Sequence, residues 1–218
     1  MRFVRPSFIV ETPTDRLGLG VLRALESAGR TCYKSEEAIT DESATDFIGN
    51  KILPTGHHSV IEHEHVRVRI ICDRGVSHEI VRHRLASYSQ ESTRFCNYSK
   101  DKFNGQIAYI ETPWELGEDD LELLAAIEKH YMKKIEQGWT AQQARYFLPQ
   151  GLKTEIVMTA NLREWRHFFK ERAVNPKAHP QMREIAIPML EEFKRFIPII
   201  FDDIIVKDRS DFLKEERK

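Results

Sequence analysis

The 218-residue chain is 41% hydrophobic and 31% charged, enough apolar material for a packed core beneath a well-solvated surface. Its formal net charge of -1 excludes a global electrostatic attraction to nucleic acid, so any affinity for phosphate must be local. Three widely spaced cysteines (Cys32, Cys72, Cys96) form no CxxC pair and give no sign of a disulfide framework or a cysteine zinc site. No apolar run has the length of a signal peptide or a membrane span, and a reducing cytoplasm is the simplest setting.

Residues 3–11 read as an irregular or extended opening strand. Thr14 or Asp15 is expected to cap a helix with the apolar face Leu17, Val21, Leu22, Leu25 and Ala28, ended by Gly29. Arg30-Thr31-Cys32-Tyr33 follows as a polar loop. Ser43 opens a short helix through Phe47, Ile48 and Ile52, and Pro54 stops it. Val66, Val68, Ile70 and Cys72 alternate with Arg67, Arg69 and Ile71, the period-two pattern of a half-buried strand, broken at Gly75. A short helix over 76–84 places Glu79 and His83 one turn apart, and the chain leaves it as a loop near Ser87. A second strand over 106–110 ends before Pro113. A long helix opens at Asp119 or Asp120, with Leu121, Leu124, Tyr131 and Ile135 near one side, and Gly138 terminates it. Thr140 caps residues 141–148, and Thr154, Ile156 and Met158 mark a third strand. Asn161 caps a helix over 162–172, whose apolar side is Leu162, Trp165, Phe168 and Phe169 and whose basic side is Arg163, Arg166, His167 and Lys170. The last helical region, 181–205, is expected to break or kink at Pro188 and Pro198. Strands scattered among helices without a βαβ rhythm point to an α+β fold, and neither GxGxxG nor GxxxxGK[ST] occurs.

The chemistry concentrates in Arg82-His83-Arg84-Leu85-Ala86-Ser87-Tyr88-Ser89-Gln90-Glu91-Ser92-Thr93-Arg94-Phe95. Arginine is buried only when paired, so this stretch does not read as core, and a solvated helix face would show Glu–Lys pairs instead. Guanidinium forks beside hydroxyls suit an anionic, oxygen-rich ligand, with a polar loop or interface as the alternative.

That string, together with its Arg-His-Arg, seven-residue gap and Ser92, resembles the signature of the flavin-dependent thymidylate synthases. Gly29-Arg30-Thr31-Cys32-Tyr33, the 56–63 segment, Ala144-Arg145-Tyr146-Phe147-Leu148-Pro149, and Asn161-Leu162-Arg163 leading to Arg172 fall in family order. The resemblance implies one domain over 1–218, with helices on a small, mainly antiparallel sheet. It also implies conversion of dUMP to dTMP with methylenetetrahydrofolate, bound FAD and NADPH, without an enzyme thiol on the uracil, and a homotetramer whose active sites are shared between subunits. Flavin-contacting positions map onto Ser59, Arg82, His83, Arg84, Gln90, Asn161, Leu162, Arg163 and His167. The dUMP-contacting positions map onto Glu79, Ile80, Val81, Arg82, Gln90, Glu91, Ser92, Thr93, Arg94, Arg145 and Arg172, and Arg172 matches the residue that activates the uracil. His57 falls in the segment resembling the folate-side wall. The chain departs from many members in having Phe95 for Tyr, and from some in having His167 for Asn, Cys32 for Ser and Glu79 for Gln.

Two rival readings remain in the residues themselves. Six of the nine histidines lie between positions 57 and 83, and His57, His58, Glu62, His63 and His65 crowd together. They suit a metal-dependent hydrolase, although their spacing matches neither a His-Glu-x-x-His helix nor a zinc finger. The 82–94 segment would also serve a non-catalytic nucleotide- or RNA-binding module. Ser92 lacks the Gly-x-Ser-x-Gly elbow of an activated nucleophile and reads as a phosphate donor.

Overall fold

The computed structural model describes residues 1–206; the charged run 214–218, expected to be a frayed end, lies outside them. Strands β1 (Arg2–Val4) and β2 (Ser7–Val10) lead into α1 (Leu19–Tyr33). Three short pieces follow: α2 (Ser43–Asp46), a π-helical segment Phe47–Ile52, and α3 (Leu53–Thr55). Then come β3 (His65–Asp73), α4 (Arg74–Ile80), β4 (Ala86–Gln90), β5 (Ala108–Ile110), α5 (Glu118–Glu136), α6 (Ala141–Ala144), β6 (Lys153–Asn161), α7 (Leu162–Phe169) and α8 (Pro180–Phe196). The fold is α+β. A four-stranded sheet has the order β2-β3-β6-β4, and β1 pairs in parallel with β5 through Arg2–Ala108, Phe3–Tyr109 and Val4–Ile110. No helix among the described residues is long and apolar enough to cross a membrane.

The chain packs as two compact units made of interleaved segments. One comprises Met1–Phe8, Arg69–Arg82 and Tyr88–Val157; the other comprises Ile9–Val68, His83–Ser87 and the described part of Met158–Lys218. The first unit buries Tyr98, Ile107, Tyr109, Tyr131, Ala144 and Leu152 together. The second is centred on aromatic rings. Trp165 lies 5.0 Å from Phe193 and 5.3 Å from Phe168 between centroids, and Phe169 lies 5.6 Å from Phe201. Such pairs contribute roughly 0.5–1.5 kcal/mol each beyond simple area burial. The Trp165 indole N–H donates to the Val66 carbonyl at 3.0 Å, so the largest core side chain keeps no unmet donor. This anchors the helix that carries much of the site.

Several local expectations change. Gly29 does not end α1. It lies within the helix, and a Cβ there would meet Phe47 Cε1 at 2.7 Å, so its role is close packing. The helix runs on through Arg30–Tyr33, expected to be a loop, and stops at Lys34, which takes the left-handed conformation at φ 49°. Pro54 follows directly on the π-helical segment without ending the helical run, which continues to Thr55, and Gly56 at φ 75° makes the stop. Pro188 leaves α8 unbroken. Met189, Leu190 and Ala186 are completely buried around it, and that packing offsets the lost hydrogen bond. β4 was expected to be a loop. Its alternation of exposed Ser87 and Ser89 with half-buried Ala86, Tyr88 and Gln90 has strand period without apolar residues, and β4 stands last in the sheet order, at an edge. Arg166, on the basic side of its helix, is only 5% exposed. It donates to both Asp203 carboxylate oxygens at 2.6 Å and to the Ile200 carbonyl.

Candidate active site

In the first unit, the phosphate candidates sit on the loop that follows β4. The loop is held at its start by the Glu91 N–H, which donates to the Glu155 carbonyl at 2.8 Å. The Ser92 carbonyl then accepts from the N–H groups of Phe95 and Cys96 at 3.0 and 2.8 Å, making a tight turn that buries Thr93 and leaves Arg94 outward. Arg94 is exposed, and its Nε donates to the neutral Gln142 amide oxygen at 2.6 Å. The Glu91 carboxylate, by contrast, is committed: Lys153 Nζ lies 3.0 Å away and the Tyr98 hydroxyl donates at 3.0 Å. Its backbone is engaged too, since the Glu91 carbonyl accepts from Arg74 Nη1 at 3.4 Å, and burial together with Glu91 keeps the Tyr98 hydroxyl protonated well above its usual range. The Gln90 amide donates to Ser77 Oγ at 2.9 Å and Thr154 Oγ1 at 3.2 Å, pinning the end of β4.

Thr93 and Arg145 line one cavity of about 270 Å³, and Arg74, His78 and Tyr146 line it too. Arg74 and His78 were not singled out from the sequence. The available signal was their spacing: positions i and i+4 of the helix that Asp73 caps by accepting the Val76 N–H at 2.7 Å. The cavity wall is cationic and hydroxylated, the chemistry that binds a phosphomonoester. Ile80 is fully buried. Its side chain is core, and its carbonyl accepts from the Tyr88 hydroxyl at 2.9 Å. Val81 and Arg82 are exposed beyond it, and Glu79 is half-buried.

In the second unit, β6 delivers Asn161 directly to the start of α7. Its side-chain oxygen accepts the Glu164 N–H at 2.8 Å, a true N-cap. Leu162 is fully buried and its N–H donates to the Glu64 carbonyl at 3.0 Å, so it acts as core. Arg163 points outward, paired with Glu62 at 2.6 Å in an exposed contact. Ser59, Arg84 and His167 are also exposed.

His83 is the centre of this unit's arrangement. It is 4% exposed, with the His167 and Phe168 rings at 5.3 and 5.0 Å. Arg172, 89 positions away in sequence, donates from Nε to His83 Nε2 at 3.2 Å. On the other side of the ring, Glu164 Oε1 lies 3.3 Å from Nδ1. Burial, and then the neighbouring Arg172 cation, lower the His83 pKa to about 4, so the ring is neutral near pH 7. Glu164 was not anticipated. Its place in the first turn after an N-cap reads as routine helix chemistry, and only the fold reveals its partner.

The histidine-rich segment is not a metal centre of the expected kind. Among the described residues, the group of three candidate ligands whose donor atoms lie within 4.8 Å of one another is His83, Glu164 and His167, not any three from positions 57–65. Even there, an Arg172 N–H occupies the His83 Nε2 lone pair, and its guanidinium charge opposes a cation. His57 instead shares a short hydrogen bond with the Tyr33 hydroxyl, and its ring stacks on Tyr33 at 6.0 Å. Burial and the Arg166 charge lower the His58 pKa.

A family profile described as "Thymidylate synthase complementing protein" matches residues 20–199. The flavin-dependent thymidylate synthase of Geobacter sulfurreducens is 34% identical over 191 residues, covering 83% of this chain and 80% of that protein. The Pyrococcus furiosus protein of the same name is 36% identical over 77% of this chain and 69% of its own length. Among solved structures, flavin-dependent thymidylate synthase ThyX from Helicobacter pylori, complexed with FAD and dUMP, superimposes with a TM-score of 0.69 at 22% identity, covering 92% of this chain and 100% of that one. The UMP/dUMP methylase PolB from Streptomyces cacaoi, bound with 5-Br UMP, gives 0.72 at 15% identity over 93% and 95%. At those identities the structural matches speak for the fold.

Proposed function

The chain belongs to the flavin-dependent thymidylate synthase family, and from that premise we propose that it transfers a one-carbon unit from methylenetetrahydrofolate to C5 of dUMP and releases dTMP and tetrahydrofolate. When bound, FAD supplies the hydride chemistry, with NADPH as its reductant.

The residues present suit these ligands. Exposed Arg84 and Arg163, the Ser59 hydroxyl and the His167 ring offer cationic and hydrogen-bonding groups for a pyrophosphate and a heteroatom-rich ring. The Arg163–Glu62 pair is a surface contact worth at most about 1 kcal/mol, which a phosphate can displace. The Ser92–Arg94 turn, with Arg145, Arg74 and His78, takes the dUMP phosphate through charge-assisted hydrogen bonds of about 1.5–3 kcal/mol each. Arg172 stands at the O2/N3 edge of the uracil, where its fixed charge stabilises an anionic ring and makes C5 more nucleophilic.

The observation that carries this reading is the meeting of Arg172 with His83: two of the segments that carry the family resemblance share one hydrogen bond. We read the assembly as a cytoplasmic homotetramer, in which exposed Tyr146 and Phe95 would find cover.

The test is an absorbance spectrum followed by an assay. Purified protein shows an oxidised-flavin band that dUMP perturbs, and makes dTMP when given methylenetetrahydrofolate and NADPH. A colourless protein inhibited by chelators would favour the hydrolase reading. A colourless protein with steeply salt-dependent RNA binding would favour the binding module.

A further inference from the structure

We infer that Glu164 is a positioning residue for the reaction: acting through the His83 ring, its carboxylate sets the aim of the Arg172 guanidinium. The inference rests on the reading of Arg172 as the uracil-side cation.

The argument begins with the ring. Arg172 Nε can only donate, so the His83 Nε2 it meets at 3.2 Å must carry the lone pair. A neutral imidazole then places its proton on Nδ1, and the carboxylate oxygen nearest to it is Glu164 Oε1 at 3.3 Å, a close electrostatic contact rather than an aligned hydrogen bond. One tautomer therefore meets the Arg172 donor with a lone pair and turns the positive end of the ring N–H toward the carboxylate. Removing the carboxylate frees the ring to move its proton to Nε2, where it would point at the Arg172 N–H and push the guanidinium away.

The surroundings favour a device over an accident. Glu164 is 7% exposed and His83 4%, and a carboxylate is tolerated at that depth only with polar partners. Its place in the first turn of α7 helps, because the helix dipole favours negative charge there. The bland role of a first-turn acid is nonetheless already covered, since Asn161 caps the helix by accepting the Glu164 N–H. That role would leave the carboxylate in solvent rather than against a buried ring. His167 and Phe168 close on the imidazole at 5.3 and 5.0 Å and resist its rotation, so the tautomer is the remaining freedom, and Glu164 removes it. The ring is neutral near pH 7, so the contact acts through the dipole of the ring N–H facing the carboxylate, not as an ion pair.

The experiment compares the full-length parent with Glu164→Met, which keeps the volume and deletes the acceptor, and Glu164→Gln, which keeps an oxygen acceptor. Nitrogen-15 NMR of the histidine rings reads the His83 tautomer, and steady-state assays separate kcat from KM for dUMP. The parent should hold the proton on Nδ1. Glu164→Met should lose the single tautomer and about 10–100-fold in kcat, the scale of a misaimed catalytic group, with flavin content and KM for dUMP unchanged. Glu164→Gln should recover most of both. Parent-like kcat in Glu164→Met, or an unchanged Nδ1–H tautomer, overturns the inference. If Glu164→Met does not fold, Glu164→Ala carries the same comparison. A parent that makes no dTMP refutes the functional reading, and the tautomers of parent and variant still decide whether Glu164 governs the ring.

Discussion

The two units hold positive charge in opposite ways. On the loop after β4, Arg94 is exposed and rests on a neutral amide, Gln142, while the nearby Glu91 carboxylate is taken up by Lys153 and Tyr98. Around His83, Arg172 is half-buried and leans on a neutral ring that is itself backed by a buried carboxylate. An exposed guanidinium whose partner is uncharged suits an anion that arrives already charged, such as a phosphate. A half-buried guanidinium held from behind suits charge that develops only during reaction. The first arrangement should therefore govern binding and the second the rate.

The largest expected effect breaks the second arrangement. Arg172→Ala should lower kcat by about 10²–10³-fold, as removal of a preorganised charge-stabilising group does, while flavin stays bound. Steady-state turnover and the flavin spectrum measure the two halves of that statement. Next, Arg94→Ala should weaken dUMP binding by about 10–100-fold, from the loss of one charge-assisted hydrogen bond, with flavin reduction by NADPH largely preserved. Equal flavin loss in both variants would mean that the division of labour is misassigned.

A pH series sharpens the contrast, because the buried arrangement contains a histidine whose shifted titration falls in the mildly acidic range, whereas the Tyr98 hydroxyl beside Glu91 is shifted upward and stays protonated there. Burial and the Arg172 charge depress the folded-state pKa of His83 from 6.5 to about 4. The folded ring binds its proton more weakly than the unfolded one, so its contribution is fully present above about pH 6.5 and declines as pH falls toward 4. By pH 5 the loss is about 2 kcal/mol at roughly 1.4 kcal/mol per pH unit. Burial raises the Glu164 carboxyl, which acts in the opposite sense and costs stability as pH rises through its folded value. The difference between parent and His83→Gln in urea midpoints at pH 7 and pH 5 isolates the ring, and the variant should show the shallower decline. The smallest effect belongs to the surface: Glu62→Gln, which breaks the exposed pair with Arg163, should change stability by less than about 1 kcal/mol in the same unfolding assay.

How much of this was legible in the chain follows from what each signal encodes. The alternation Val66, Val68, Ile70, Cys72 and the N-cap Asn161 are local signals, and both appear where expected in β3 and at α7. Gly29 and Pro188 misled for a shared reason. Each is a helix breaker by propensity, and each is overridden by tertiary packing, close contact with Phe47 in one case and buried neighbours in the other. β4 was hidden because an edge strand with polar faces carries no hydrophobic period. At the site, the arginine-rich string announces its chemistry through composition alone. Glu164 does not, because its meaning depends on a ring 81 positions away that only the fold brings within 3.3 Å. The segment 57–65 shows the converse: a conspicuous cluster of histidines in sequence that the fold does not gather around one point.

The most direct test of the central contrast is a comparison of single-turnover dTMP formation by flavin-reduced Arg94→Ala and Arg172→Ala as dUMP is raised to saturation. The account predicts that excess dUMP restores Arg94→Ala to near the parent rate and leaves Arg172→Ala slow. Rescue of Arg172→Ala by excess dUMP, or a persistent defect in Arg94→Ala, would contradict it.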